Sequence, residues 1–111
     1  MTHDELMQKH HKILGPARYV GVGVGGFNII DSLCTDLQAL SDKLGHQIVA
    51  TQVKEKFGGL RFYTGPSLDP QWNRISRAEE QAAVTCDVCG KEGKMSNIGG
   101  WMATRCEEHA K

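Results

Sequence analysis

The chain has 111 residues, which is room for one compact domain or a small domain with a minor appendage. Thirteen basic residues balance thirteen acidic ones, so no overall cationic field exists to drive indiscriminate nucleic-acid binding. A hydrophobic fraction of 40% with 6% aromatic argues against disorder but predicts a thin core that gains from a cross-link.

From the N-terminus, residues 1–14 read as a helix with Leu6, Met7, His10, Ile13 and Leu14 on one side, stopped by Gly15-Pro16. The opening Met1-Thr2-His3-Asp4-Glu5 is too polar for a signal peptide. With no apolar run near the ~18 residues of a membrane span, the expectation is a cytoplasmic chain with no membrane partner. Residues 19–27 are glycine-rich and fit a loop as well as a short strand.

A helix is predicted over 28–44, capped by Asn28 or Asp31 and ended by Gly45. Its stripe is Ile29, Ile30, Leu33, Cys34, Leu37, Leu40 and Leu44. The period then falls from 3.6 to 2, and two β-rich runs around Gly58-Gly59 read as a hairpin. Residues 69–84 form a further predicted helix, with Asp69 as cap, Pro70 at the first position, and Trp72, Ile75, Ala78 or Glu79, and Ala82 inward.

From residue 86 onward the chain has little apolar periodicity but carries Cys86-x-x-Cys89 and, after sixteen intervening residues, Cys106-x-x-His109. Ligands two residues apart let one tight turn supply two corners of a tetrahedron. Three thiolates and an imidazole form a closed structural zinc set rather than a catalytic one. Lys91, Lys94 and Arg105 are placed to offset its negative charge. Cys34 lies on the helix stripe and reads as core, and His10 and His11 read as surface residues. The expected organisation is an α+β core over 1–85 and a zinc-held subregion over 86–111, with helices packed on an antiparallel hairpin and a treble-clef-like or zinc-ribbon-like finger.

With Gly58-Gly59 as the turn, Lys56 faces Arg61 and Lys54 faces Tyr63 on one side. The other side carries Val53, Glu55, Phe57, Leu60 and Phe62. Three cations beside an aromatic suit a phosphate-contacting ribbon, and equally an edge hairpin guarded by lysines. Glu55, stranded among apolar neighbours, is expected to reach the rim or to pair with Arg74 or Arg77. It is also the one candidate general base. The run Gly21-x-Gly23-x-Gly25-Gly26 matches a bare dinucleotide fingerprint. Because the following chain reads as a hairpin rather than a parallel strand, a tight packed connection is the default. No nucleophile elbow, Walker lysine or His-Glu-x-x-His helix is present.

The run from Val53 to Tyr63 (VKEKFGGLRFY), Gly26-Phe27 opening a leucine-rich helix, and a Cys-x-x-Cys-Gly knuckle closing through Gly99-Gly100-Trp101 to Cys106-x-x-His109 together resemble a family of small, largely uncharacterised bacteriophage and prophage proteins. The likeness covers residues 26–111, with Phe27 where tryptophan is more usual. It implies a mobile-element origin, a bacterial host cytoplasm, and zinc on Cys86, Cys89, Cys106 and His109. The expected function is a non-enzymatic binding protein that contacts nucleic acid or an acidic host protein through Lys54, Lys56, Arg61 and Tyr63. The alternatives are an inhibitor of a host enzyme that docks through Trp101 or Trp72, and a small nuclease or other hydrolase using Glu55.

Overall fold

The computed structural model describes residues 1–110; Lys111, the last residue of the predicted finger, lies outside them. Among the described residues the architecture is mixed α+β, with four α-helices, a three-stranded sheet and a two-stranded hairpin.

The N-terminal helix is broken rather than continuous. Helix α1 spans His3–Lys9 and is capped by Thr2, whose Oγ1 accepts the Glu5 N–H while the Glu5 carboxylate accepts the Thr2 N–H. After a break at His10, α2 covers His11–Leu14 and a 3-10 turn, Gly15–Ala17, carries the chain past Pro16. His10 is buried, correcting its surface assignment: its Nε2 lies 2.7 Å from Asp31 Oδ1, which Lys9 also reaches at 2.9 Å. These bonds hold the Asp31 carboxyl below its usual range, first through His10 and then through Lys9. Asp31 is therefore a tie between helices and not a cap.

Helix α3, Phe27–Leu44, starts one residue earlier than its periodicity suggests. Gly26 occupies the cap position with no side-chain cap, and Gly45 closes the helix in the left-handed region. Its stripe is buried as predicted from Ile29 to Leu37, Cys34 included, whereas Leu44 in the last turn is exposed. Burial pushes the Cys34 thiol up to about 12, so it remains neutral in the core.

Strand β1 (Val20–Gly21) lies parallel to β2 (Ala50–Lys56), which pairs antiparallel with β3 (Gly59–Thr64). The glycine run therefore joins strand to helix inside a β–α–β unit, and the expectation of no parallel strand is corrected. A bulge between Ala50 and Gln52 turns Ala50 inward, while Gln52 and Lys54 face out.

The hairpin turn is Phe57-Gly58, one residue before Gly58-Gly59, with φ of 52° and 77°. Positive φ at both central residues is the type I′ geometry that matches strand twist. Moving the turn by one residue shifts each partner along β3 by two. Lys54 now faces Arg61 and Glu55 faces Leu60, and every residue but Phe57 keeps its expected side.

Helix α4, Asp69–Ala82, is capped at Leu68, whose N–H donates to Gln71 Oε1 at 2.9 Å. Trp72 is exposed rather than inward, and the fully buried Gln71 takes the interior place. Its Nε2 donates to the His46 carbonyl at 2.9 Å, and Ser41 Oγ accepts the Ile48 N–H, so α3, α4 and the entry to β2 are tied without an unpaired polar group. Glu79 Oε2 accepts the Phe62 N–H on the free edge of β3. The contiguous core runs from Leu6 to Ala78 and takes nothing from the C-terminal segment.

Candidate metal centre

Four side chains meet where the chain has no apolar core to offer. A tight turn over 86–90 places Cys86 and Cys89 together, with the Gly90 N–H donating to the Cys86 carbonyl at 2.9 Å and Gly90 at a φ of 81°. Strands β4 (Lys94–Ile98) and β5 (Trp101–Arg105) then form a hairpin around Gly99-Gly100, both residues at positive φ. It returns the chain to Cys106, and a second turn, closed by the His109 N–H on the Cys106 carbonyl, brings in His109.

The ligand atoms of Cys86, Cys89, Cys106 and His109 all lie within 4.8 Å of one another. Tetrahedral arms of about 2.3 Å to sulfur and about 2.05 Å to nitrogen imply S···S near ~3.8 Å and S···N near ~3.6 Å. Cys89 Sγ and Cys106 Sγ are 3.7 Å apart, and Cys86 Sγ lies 3.6 Å from His109 Nδ1. No disulfide joins these sulfurs. All four predicted ligands are brought together, in a cage that fits a metal ion.

The electrostatics ask for a cation. Burial alone raises the Cys86 thiol, but the N–H groups of Cys106, Cys89 and Val88, and then the Cys89 side chain, outweigh it and bring its pKa down to about 6. At Cys89 the Lys91 N–H lowers the pKa, but burial and the neighbouring Cys106 and Cys86 sulfurs overcome it and raise the net value. Three sulfurs this close resist ionising together unless positive charge sits among them. Backbone amides supply part of the compensation expected of Lys91, Lys94 and Arg105. Arg105 instead pairs with Asp87, Nε to Oδ1 at 3.0 Å.

The glycine run is packed against this knuckle. The Gly25 N–H donates to the Asp87 carbonyl at 2.9 Å, and a Cβ at Gly25 would stand 2.7 Å from Gly90 N, closer than any side chain tolerates. The Gly23 N–H donates to Glu55 Oε1 at 3.2 Å and the Gly26 N–H to the Gly23 carbonyl. The amides that a dinucleotide phosphate would use are already engaged, so the packed-connection reading holds despite the β–α–β setting.

Glu55 pairs with that backbone amide and with neither arginine, since Arg74 holds Asp36 at 2.7 Å. Burial pushes its pKa up against the Gly23 hydrogen bond, with Asp87 adding to the rise and Arg105 opposing it.

The predicted basic residues do share a face. Lys54 lies directly across from Arg61, with Lys56 and Tyr63 on the same outer side, while Val53, Leu60 and Phe62 are buried on the inner side. Sequence reasoning missed Tyr19. It is 61% exposed, and a Cβ at Gly21 would touch its ring at 3.3 Å, which places it on this outer face. Alternation with the buried Val20 was the available signal. Family models, curated proteins and solved structures all gave no match to the chain. Among the described residues, no helix is long and apolar enough to cross a membrane.

Proposed function

We propose that this is a zinc-stapled binding protein, not an enzyme, whose outer sheet face engages the phosphate backbone of nucleic acid. Zinc is the metal that the ligand set favours: thiolates with one imidazole, four protein ligands and no open position make a structural site. The bacteriophage-type origin implied by the Val53–Tyr63 signature belongs to the same reading.

The observation that carries the function is a row of uncompensated cations. Lys9, Arg74 and Arg105 each hold a carboxylate. Among the described residues, Lys54, Lys56 and Arg61 form no salt bridge, and they share their face with Tyr19 and Tyr63. Lys12, Arg18, Lys43, Arg77, Lys91 and Lys94 are also unpaired, but on the outer hairpin face three such cations stand together beside two tyrosines, which has the makings of a local phosphate-binding patch.

The test is fluorescence anisotropy with labelled oligonucleotides across a salt series. If all three cations meet phosphates of a single strand, log K falls with log salt at a slope of about −2. Joint charge reversal, Lys54→Glu with Arg61→Glu, abolishes binding and leaves the melting transition in place. A flat salt response, or unchanged binding by the reversed variant, eliminates this surface. Capture of an acidic polypeptide in place of DNA gives the face to a protein partner.

A further inference from the structure

Where the sheet face meets the finger, the outer surface continues into a cleft of about 500 Å³, lined by Glu55, Lys56, Phe57, Asp87 and Trp101 among others. That volume lies inside the ~300–1,000 Å³ range of small-molecule sites. Phe57 and Trp101 are 70% and 74% exposed, the most exposed large hydrophobic side chains among the described residues.

Each aromatic sits at a hairpin tip, and Phe57 sits there against local preference. The first central position of a type I′ turn favours asparagine or glycine, and a bulky residue at a φ of 52° is strained. The backbone therefore gives no reason for phenylalanine; its side chain does. Lys56 Nζ stands 5.6 Å from the Phe57 ring centroid, so a cation and an aromatic are presented side by side. The first tip is tied to the base of the second hairpin, because Thr104 Oγ1 donates to the Gly58 carbonyl at 2.6 Å and its cross-strand partner Met95 packs its side chain against Gly58.

The cleft carries charges of both signs. Glu55 and Asp87 contribute carboxylate acceptors to its lining, whereas Lys56 joins it to the cation row of Lys54 and Arg61. Carboxylates repel phosphate but accept from the exocyclic amino groups of nucleobases. A cleft lined by two aromatics and two carboxylates, and joined through Lys56 to a row of cations, matches a nucleotide with its base in the cleft and its phosphates on the sheet.

We infer that the cleft between the two hairpin tips takes an unstacked base against Phe57 and Trp101, so that the nucleic acid recognised by this protein is single-stranded. This rests on the sheet-face reading above and narrows it, since a base within a duplex has both faces covered and cannot enter.

The experiment compares a 12-nucleotide DNA of mixed sequence with its duplex, by anisotropy, on the zinc-loaded full chain. Phe57→Asn is the informative variant because it installs the preferred Asn-Gly turn while removing the aromatic. Its melting temperature should equal or exceed the parent's, so a fall in binding cannot come from unfolding. The single strand should bind more tightly than the duplex. Phe57→Asn and Trp101→Ala should each weaken single-strand binding about 5- to 100-fold and leave duplex binding unchanged.

Equal affinity for both DNA forms, or aromatic variants within twofold of the parent while Lys54→Glu with Arg61→Glu binds poorly, overturns the cleft and spares the sheet face. Weakening by the aromatic variants with none from charge reversal overturns the sheet-face route and keeps the cleft. Absence of binding to either DNA overturns both.

Discussion

The two halves of the molecule are held together by different forces. From Leu6 to Ala78 every helix and all three strands of the sheet send side chains into one apolar core. From residue 86 to 110 the buried side chains are Cys86, Ala103, Thr104 and Cys106, and β4 shows none. A two-stranded hairpin with so little to bury is marginal in water on its own. The comparison teaches that the tetrad does for the tail what Leu33 and Leu37 do for the body. It also shows that the two halves meet through hydrogen bonds onto main-chain carbonyls, from the Gly25 N–H to Asp87 and from the Thr104 hydroxyl to Gly58.

The largest break in that symmetry should come from removing the metal. Binding of a structural zinc is worth on the order of 10 kcal/mol, nearly all of it the folding energy of the segment that holds it. Chelation, or Cys106→Ala, should unfold residues 86–110 and leave helicity largely intact, because α1 to α4 all lie within 3–82. Limited proteolysis with far-UV circular dichroism checks this, and simultaneous loss of the helical signal would show that the core depends on the finger. Elemental analysis should find one zinc per chain.

The converse variant is Leu37→Ala, at a fully buried core position. It should cost about 2–5 kcal/mol in denaturant unfolding and leave metal stoichiometry unchanged. Gly25→Ala acts on the seam between the halves. The added methyl meets Gly90 N and the Asp87 backbone, so it should cost about 1–3 kcal/mol and weaken metal affinity in the same protein. A loss in one property without the other would mean that the seam does not couple them.

The smallest effects are those of pH. Asp31 is held below its ordinary 3.8 in the fold, so its contribution is complete above that value and is lost as pH falls through the depressed one. Asp31→Asn should flatten the acid limb of the stability curve. Cys34 moves the other way. With its folded value at about 12 against 9.0, its contribution is complete below 9.0 and erodes as pH rises toward 12, which alkaline denaturation of Cys34→Ala against the parent will read.

Much of this was legible in the residues. The tetrad could be read because ligand spacing is local, and α3 because its stripe repeats over five turns. The sides of the hairpin survived a misplaced turn because a two-residue shift preserves alternation. The turn itself was misread because phenylalanine is a poor type I′ residue, and nothing in the chain announces an exception. The parallel pairing of β1 was hidden in two residues, and its partner lies some thirty positions away. The role of the glycines was half visible: close packing was foreseeable, but the Cys86–Gly90 knuckle they pack against is sixty residues downstream. A separation of 32 positions hid the partner of Glu55, whose carboxylate satisfies an amide of that loop rather than a guanidinium.

The bond from Phe62 N–H to Glu79 has a bearing on how guests can be received. It occupies a main-chain donor on one margin of the sheet, and the opposite margin is a strand of only two residues. Neither border invites a foreign segment to extend the ladder, which guards against self-templated growth and closes the route used by domains that capture peptides as an added strand. In the proposed reading a bound strand would lie across the side chains of this sheet like a rope over a plank rather than extend its ladder.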